Sequence, residues 1–557
     1  MRIRLPLLAA LLLPGCDGGG DSSTGGGDDD ATTGGQGTDG TSTAGTMQTS
    51  AGTADSGSND ATAGETTQGE TTSGETTRGD SSGGGSETGA VCEPLGALDP
   101  RRSLIETRPS VLSDFGLSEV FAAVATNAGL HPDPLGTHDR LFDTYRHSQQ
   151  GEFNGHHCDD ELIGQQPSLN GFPLLCPRSE GAFAAFDQAL DGWFATAFVN
   201  RIDLAPADGS HCGEQRIIFA NPMMVGRAFI ILEAQIPNPS PGCGVAACGP
   251  ITQFWADLDA IDDPAERTAR LRAAFIDGDP TLSGAGFGPF MSADNLTFGT
   301  GQVRTNNFVT GPWTLREYKF VPLDAGGNMV VSPEPVPVSA SVHDTLWNDT
   351  LGGQDAASCR SAMLDALPGL LGNDVATMGW SLPQSCRSSE SVEFEDFYDV
   401  HLSEGSGNFA AAINAEIAAV APGSGLDAFD VARRAQFAGS CIGCHEHANF
   451  LELGGGVTAP SSLSFVHVEE QITEPCGDGS ECFAISPALI DVFLPSRMQA
   501  LETVHQTACD QGCAMASVPT PGHALPAPGL DEATLHAIER VAAPTGLTVS
   551  GRPVGGH

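Results

Sequence analysis

The chain has 557 residues, and its 70 Asp and Glu outnumber its 25 Lys and Arg to give a formal net charge of −45. This excess of negative charge argues against nucleic acid or an anionic lipid surface as a partner, because both would repel it. Lys319 is the only lysine, so a basic recognition surface would have to be built from arginine. The length beyond residue 90 exceeds that of a usual single core and predicts two or three domains.

The first 16 residues have the organisation of an export signal. Residues 1–4 are basic, residues 5–13 are apolar, and a Leu-Pro-Gly-Cys sequence ends at Cys16. The apolar run is too short to span a bilayer as a helix. The segment resembles the signal peptide and lipobox of bacterial lipoproteins. The resemblance implies lipidation of Cys16 and an exported protein that is lipid-anchored to the bacterial cell envelope, facing the periplasm or the cell surface. An ordinary signal peptide cut near Gly15 is the alternative.

Residues 17–90 form a predicted disordered linker. They are mostly Gly, Ser, Thr, Asp and Glu, and Gly-Glu-Thr-Thr recurs every five residues between positions 64 and 78. Such a segment cannot bury enough apolar surface to offset the entropy lost on ordering. As a Gly-rich coil of about 75 residues it would have an end-to-end distance of roughly 45–50 Å. We therefore expect it to tether a folded part to the membrane.

Residues 91–422 predict an α+β body. Runs of apolar and β-branched residues predict strands at 215–220, 227–234, 302–308, 314–321 and 329–338. Apolar residues at helical spacing predict helices at 118–127, 180–198 and 264–275. The body contains neither a nucleotide-binding glycine motif nor a Gly-x-Ser-x-Gly or His-Glu-x-x-His motif, so its sequence nominates no catalytic residue.

Two polar regions of the body allow more than one interpretation. The segment 156–160 is His-His-Cys-Asp-Asp, and three histidines precede it at positions 131, 138 and 147. Imidazole and carboxylate are common metal ligands, but a polar loop beside a disulfide is the favoured interpretation. The segments 200–203 and 208–214 carry carboxylates that could bind calcium, yet they lack the periodicity of an EF-hand. A turn held by Asp and Gly is favoured there.

One pentapeptide carries the most specific chemical signal in the chain: Cys441-Ile442-Gly443-Cys444-His445. Two thiols three positions apart lie on one face of a helical turn, where both can form thioether bonds to the vinyl groups of a haem, and the next imidazole can lie under the iron. A redox disulfide or half of a zinc site would also use Cys-x-x-Cys. However, the sequence has no second such pair, and a redox motif does not require the histidine. The segment resembles the haem-binding segment of c-type cytochromes.

The resemblance implies one haem c, attached through Cys441 and Cys444, with His445 as the proximal iron ligand. It covers residues 423–557 at most and implies a small, mostly α-helical cytochrome c-like domain. The sequence predicts helices at 426–437, from about 486, and at 531–541. An insertion rich in Gly, Asp and Glu departs from the smallest cytochromes of this class.

The second axial ligand has two candidates. Met515 lies 70 residues after His445 (515 minus 445), in a Pro-containing loop that resembles the position of the axial methionine in many such cytochromes. His467 lies 22 residues after His445 (467 minus 445) and would give bis-histidine ligation. Methionine favours a higher reduction potential than histidine, and an open position would allow peroxide or oxygen chemistry.

The remaining cysteines predict disulfides. Removing Cys16, Cys441 and Cys444 from the 15 cysteines leaves 12, an even number, which in an exported protein is typical of disulfide bonding. Pairing sequence neighbours gives Cys158–Cys176, Cys243–Cys248, Cys359–Cys386, Cys476–Cys482, Cys509–Cys513 and, for the two left over, Cys92–Cys212. Spacing alone leaves the connectivity open.

Together these features predict a membrane-tethered c-type cytochrome lipoprotein that transfers electrons through one haem to an unidentified redox partner protein. One alternative is a haem-containing oxidoreductase whose central body binds a substrate. A second alternative is a surface binding lipoprotein in which the haem is structural.

Overall fold

The structure is a computed structural model, and it describes most of the chain between Leu95 and Gln511. The described residues are 95–142, 159, 161–169, 172–173, 190–222, 227–308, 314–335, 344–351, 356–380, 382–383, 386, 390–392, 396–440, 443, 446–464 and 466–511. All of them fall within one unit, Thr88–His557. Several predicted features lie outside the described residues: the signal and linker, Cys16, Cys441, Cys444, His445, Met515, four predicted disulfide cysteines (Cys92, Cys158, Cys176 and Cys513) and the helix at 531–541.

An antiparallel sheet forms the body. Its strand order is β1-β5-β6-β7-β8-β9-β10, and β11 pairs with β9 on the same edge as β10. The strands of this sheet are β1 (Ile105–Glu106), β5 (Phe194–Arg201), β6 (His211–Asn221), β7 (Arg227–Pro237), β8 (Gln302–Phe308), β9 (Thr314–Ala325), β10 (Asn328–Pro335) and β11 (Glu390–Val392). Two smaller antiparallel sheets are formed by β2 (Glu161–Ile163), β3 (Gln166–Leu169) and β4 (Phe172–Pro173), and by β12 (Val468–Pro475) and β13 (Glu481–Ile485).

Helices surround the sheet and follow it in the chain. Those between residues 100 and 284 are α1 (Pro100–Ser103), α2 (Pro109–Leu112), α3 (Leu117–Asn127), α4 (Pro134–Leu141), α5 (Gly249–Asp259), α6 (Pro264–Arg272) and α7 (Pro280–Gly284). Those after the main run of strands are α8 (Asp344–Trp347), α9 (Ala356–Ala366), α10 (Tyr398–Glu404), α11 (Asn408–Val420), α12 (Ala428–Gly439) and α13 (Leu494–Gln511). Shorter 3-10 turns include Pro241–Cys248 and Glu446–Ala448, and π-helical turns occur at Ala273–Asp277 and Ala488–Phe493.

Two hydrophobic cores divide these elements. The first core lies between the sheet and helices α3 and α5, and it also takes in β12, β13 and α13 from the end of the described chain. The second core is helical and is built from residues between Leu346 and Ala459 on α8 to α12 and the loops around them. Residues on both sides of position 422 therefore contribute to the second core. The domain boundary at 422/423 stays a prediction.

The α+β class of the body is confirmed, and the strands predicted at 215–220, 227–234, 302–308 and 314–321 lie within β6, β7, β8 and β9. The helix predicted at 180–198 is wrong over residues 194–198, which belong to β5. Most of β5 is buried on both faces, so its apolar residues do not alternate with polar ones. Periodicity alone cannot separate such a strand from a buried helix.

Two of the predicted disulfides are confirmed, Cys359–Cys386 and Cys476–Cys482. Disulfides form and persist in oxidising compartments, which indicates an extracytoplasmic location. Within the part of the chain that the structure describes, no helix is both long and apolar enough to cross a membrane.

Two predicted pairs are wrong, because Cys212 is bonded to Cys248 and not to Cys92. The partner of Cys248 is therefore not Cys243, although Cys243 is also disulfide-bonded. The bond joins the start of β6 to the end of the turn Pro241–Cys248, which the fold brings together across 36 residues of sequence. Pairing by sequence proximity failed here because antiparallel strands bring distant positions side by side.

A buried cluster of charges ties the start of the sheet to α6. Glu106 is 0% exposed and accepts hydrogen bonds from Arg108 Nη2 at 2.7 Å and Arg267 Nε at 2.8 Å. Arg267 Nη2 also donates to the carbonyl of Arg102 at 2.9 Å. Burial raises the pKa of Glu106, but the hydrogen bonds and positive charges of Arg108 and Arg267 outweigh burial and hold that pKa below its ordinary value.

Candidate functional site: the haem-attachment segment

The Cys-x-x-Cys-His segment follows directly after α12. The side chain of Asp427 accepts hydrogen bonds from the backbone N–H groups of Phe429 and Asp430, both at 2.9 Å, and the Asp430 carboxylate accepts from the Asp427 N–H at 3.1 Å. This reciprocal capping box fixes where the helix begins. The helix ends at Gly439, and Ser440 is extended (φ −112°, ψ 163°). The predicted helix at 426–437 is therefore confirmed with its bounds shifted by two residues.

The chain packs tightly against the end of α12. Gly443 is the one residue of the pentapeptide that the structure describes. Its N–H donates a hydrogen bond to the carbonyl of Ser440 at 3.3 Å. A Cβ atom on Gly443 would come within 2.0 Å of the carbonyl oxygen of Phe437. Glycine is therefore required at this position by close backbone approach. The 3-10 turn Glu446–Ala448 follows, with Ala448 buried in the second core.

Arg434 fixes α12 to the loops on either side of it. Its side chain is 0% exposed, and burial lowers its pKa while the charge of Asp430 raises it. The ordinary pKa of arginine is so high that the group remains a cation. Its guanidinium donates hydrogen bonds to the carbonyls of Leu370, Gly372, Leu453 and Gly454 and to Oδ1 of Asn373. The segments before and after the pentapeptide are thereby held to one helix.

An aromatic wall, formed by Trp347, Trp380, Tyr398 and Phe409, lies beside the end of α12. The ring centroid of Trp347 lies 5.9 Å from that of Trp380, 5.2 Å from that of Tyr398 and 6.0 Å from that of Phe409. A Cβ on Gly439 would collide with the Trp380 ring, at 1.9 Å from Nε1. The end of α12 thus borders a cluster of aromatic rings that are mostly buried in the second core, an apolar surrounding of the kind that a porphyrin ring needs.

In the part of the chain that the structure describes, several buried polar atoms near this wall have no hydrogen-bond partner. They are Nε1 of Trp347, both ring nitrogens of His401 and Oε1 of Gln436 on α12. Buried polar atoms are nearly always paired, so each exception requires an explanation. A haem supplies an iron that an imidazole nitrogen can bind and propionate oxygens that an indole N–H can reach. The residues present therefore fit this group in chemistry.

His467, one candidate for the distal position, lies immediately before β12. Its Nδ1 is 2.7 Å from the hydroxyl of Ser486, and its ring centroid is 6.1 Å from that of Phe493. Ser486 also accepts from the N–H of Leu489 at the start of the π-helical turn. The Nδ1 atom is therefore engaged in fixing the beginning of α13, while ligation by His467 stays a prediction. Ligation by Met515 also stays a prediction.

The carboxylate segments at 200–203 and 208–214 form structural contacts, whereas the segment 156–160, apart from Asp159, and His147 lie outside the described residues. Asp208 Oδ1 accepts from the N–H of Ser210 at 2.9 Å, the Asx turn expected there, and Asp203 pairs with Arg201 at 2.9 Å. Across the sheet, the buried Glu233 lies between Arg216 (2.7 Å) and Arg304 (3.1 Å). Among the described residues, no group of three or more His, Cys, Asp or Glu side chains is arranged to hold a metal ion.

The sequence pattern predicts the pentapeptide and the helix before it, but it gives no indication of the buried His401. That residue lies 44 positions before His445 (445 minus 401), in a segment without a motif, so only tertiary structure brings it into view. No protein-family model, curated protein or solved structure matches the chain.

Proposed function

We propose that this protein is an exported c-type cytochrome that carries electrons to or from a redox partner protein through one covalently bound haem c. Cys441 and Cys444 would hold the haem, and His445 would bind the iron. The observation that carries the proposal is the pentapeptide itself. In the sequence it follows a capped helix, and the end of this helix borders an aromatic wall near buried polar atoms that have no partner among the described residues.

Each part of the site has a distinct task in this proposal. The two thiols would add to the vinyl groups and so prevent the haem from dissociating. Arg434 and the Asp427 cap would hold α12, and through it the thiols, in a fixed position. The aromatic wall would exclude water. When bound, the haem iron would take up and release a single electron.

The N-terminal region would give this cytochrome its place in the cell. Lipidation of Cys16 would anchor the chain to the cell envelope, and residues 17–90 would tether the folded part. A Gly-rich coil of that length spans roughly 45–50 Å, which would let one anchored molecule reach partners over that range. A Cys16→Ser variant is expected to appear in the soluble fraction of the envelope, and persistent membrane association of this variant would contradict the lipid anchor.

The proposal is tested by haem attachment. The wild-type chain and the Cys441→Ser/Cys444→Ser variant are produced in a bacterium that matures c-type cytochromes, and the intact mass and pyridine haemochrome of each are measured. We expect the wild-type chain to carry the added mass of one haem and the double variant to carry none. A Cys359→Ser/Cys386→Ser variant controls for the loss of two cysteines as such, and we expect it to retain haem. A colourless wild-type product of unmodified mass would refute the proposal.

A further inference from the structure

We propose that His401 is the second axial ligand of the haem iron. This inference rests on the proposed function and adds a ligand that lies before the haem-attachment segment in the chain. The structural basis is an imidazole whose two ring nitrogens are buried and have no hydrogen-bond partner among the described residues. It lies on a helix packed against the one that leads into the pentapeptide.

Helix α10 packs against α12. Arg433 Nη1 on α12 lies 3.6 Å from Asp399 Oδ2 on α10, so the two helices are joined by charge as well as by packing. At the start of α10, the ring of Phe397 contacts the ring of His447, with 5.6 Å between centroids. The start of α10 therefore lies beside the chain that immediately follows the pentapeptide.

His401 and Phe397 lie on the same face of α10. The N–H of His401 donates to the carbonyl of Phe397 at 3.1 Å, which makes the two residues neighbours one helical turn apart. Side chains at positions i and i+4 share one face of a helix. His401 thus lies on the same face as the Phe397 ring, which contacts His447. The neighbouring face, with Tyr398 and Leu402, is buried in the second core.

The surroundings of the two ring nitrogens of His401 suit a metal ligand. The side chain of His401 is 16% exposed, yet both nitrogens are buried. Glu404 Oε2 lies 3.6 Å from Nδ1, just beyond hydrogen-bond distance. Histidines that bind metals commonly donate their other N–H to a carboxylate, which orients the ring. In His401 the Nδ1 atom faces the Glu404 carboxylate without donating a hydrogen bond to it, and Nε2 would be the atom that binds the iron.

The competing histidine, His467, lies beside the other core, because the strand that follows it, β12, belongs to the first core. His401 belongs to a helix of the second core, as does α12. Bis-histidine ligation by His445 and His401 would give a lower reduction potential than ligation by methionine.

The test uses the full haem-loaded chain and reads the iron spin state by absorption and electron paramagnetic resonance. We expect the oxidised wild-type protein to be low-spin without a far-red sulfur-to-iron band. We expect His401→Ala to become high-spin and to return to low-spin when imidazole is added. His401→Met keeps a ligand at the position and should shift the reduction potential upward. His447→Ala, which removes the exposed histidine beside Phe397, should keep the wild-type spectrum.

The outcomes separate the two proposals. If the wild-type chain attaches no haem, the proposed function fails and this inference fails with it. If haem attaches and His401→Ala keeps the wild-type low-spin spectrum, only the assignment of His401 is overturned. Conversion to high spin in His467→Ala or Met515→Ala, with His401→Ala unchanged, would assign the ligand to that residue instead. Haem content by intact mass distinguishes a lost ligand from a misfolded variant.

Discussion

The guanidinium of Arg434 donates hydrogen bonds to four backbone carbonyls and one side-chain oxygen. Burial of a cation is unfavourable unless its donors are satisfied. Here the acceptors are mostly neutral oxygens from loops 370–373 and 453–454. Arg434 therefore holds α12 to both flanking loops by hydrogen bonds.

Replacing Arg434 with methionine keeps much of the apolar stem but removes every donor. Several buried carbonyls would lose their partners, and we expect the free energy of unfolding to fall by about 3–5 kcal/mol. The neighbouring Arg433 is a matched control on the same helix, since it is 23% exposed, pairs with Asp430 and Asp399, and donates to a single backbone carbonyl, that of Glu452. Arg433→Met should cost no more than about 1 kcal/mol. Urea unfolding measures both values. Equal losses would show that the buried hydrogen bonds of Arg434 stabilise the fold no more than the contacts of Arg433 do.

Glu106 gives the body a dependence on acid. The pKa of Glu106 in the folded chain lies below the ordinary value of 4.5. Its pairing with Arg108 and Arg267 therefore stabilises the fold at pH values above 4.5. This stabilisation is lost as the pH falls through the lower pKa of the folded state. Glu106→Gln should lower the free energy of unfolding by about 3–5 kcal/mol at pH 7. The variant should also lose less further stability below pH 4.5 than the wild type does.

Urea unfolding across pH 3 to 7 measures this difference. Glu119→Gln is the control, because Glu119 pairs with Arg272 at the surface and is 42% exposed. Its effect should stay under about 1 kcal/mol at each pH. Parallel curves for the wild type and Glu106→Gln below pH 4.5 would contradict the assignment.

At the scale of elements, the sequence predicts four long strands of the main sheet, β6 to β9. β8 alternates in exposure, since Val303, Thr305 and Asn307 are buried while the residues between them are partly exposed, and its predicted bounds are confirmed. The first five residues of β5 fall in the helix predicted at 180–198, because periodicity alone cannot separate a strand that is buried on both faces from a buried helix. The hairpin of β12 and β13 was missed because its short strands border a Gly-rich turn and pair through a bulge.

α12 starts two residues after the predicted position of 426, because Asp427 and Asp430 satisfy the first backbone donors of the helix. Asp427→Ala should lower the free energy of unfolding by about 1 kcal/mol, as is typical for the loss of an N-cap. Asp427→Asn should be nearly neutral, because asparagine also caps helices. Thermal and urea unfolding test the pair. A loss in Asp427→Asn as large as that in Asp427→Ala would show that charge, and not capping, matters here.

The Cys359–Cys386 disulfide links α9 to the loop that precedes β11 in the chain, across 27 residues. In the chain-entropy account, a loop of this length stabilises the fold by about 3–4 kcal/mol, and the 6-residue loop closed by Cys476–Cys482 by only about 2 kcal/mol. Double serine variants of each pair, compared by urea unfolding, should follow this order. The reverse order would show that local packing dominates over loop closure.

At the scale of the whole molecule, the second core gathers the pieces of the candidate site from separate parts of the chain. The aromatic wall comes from residues 347–409, the capped helix from 428–439, and residues 446–459 return to the same core after the pentapeptide. The chain then leaves for the first core, where β12, β13 and α13 pack. Local motifs predicted the thiols and the proximal histidine, but His401 shares no sequence pattern with them, and only helix packing brings its helix close.

We propose that this chain transfers electrons through one covalently attached haem. A spectroelectrochemical titration of the purified, haem-loaded protein tests this electron transfer. We expect the absorption bands of a c-type haem to change reversibly with applied potential and to fit a single one-electron step. In the His401→Met variant the same step should move to higher potential. A wild-type protein without attached haem, or one whose haem does not cycle between two oxidation states, would contradict the claim.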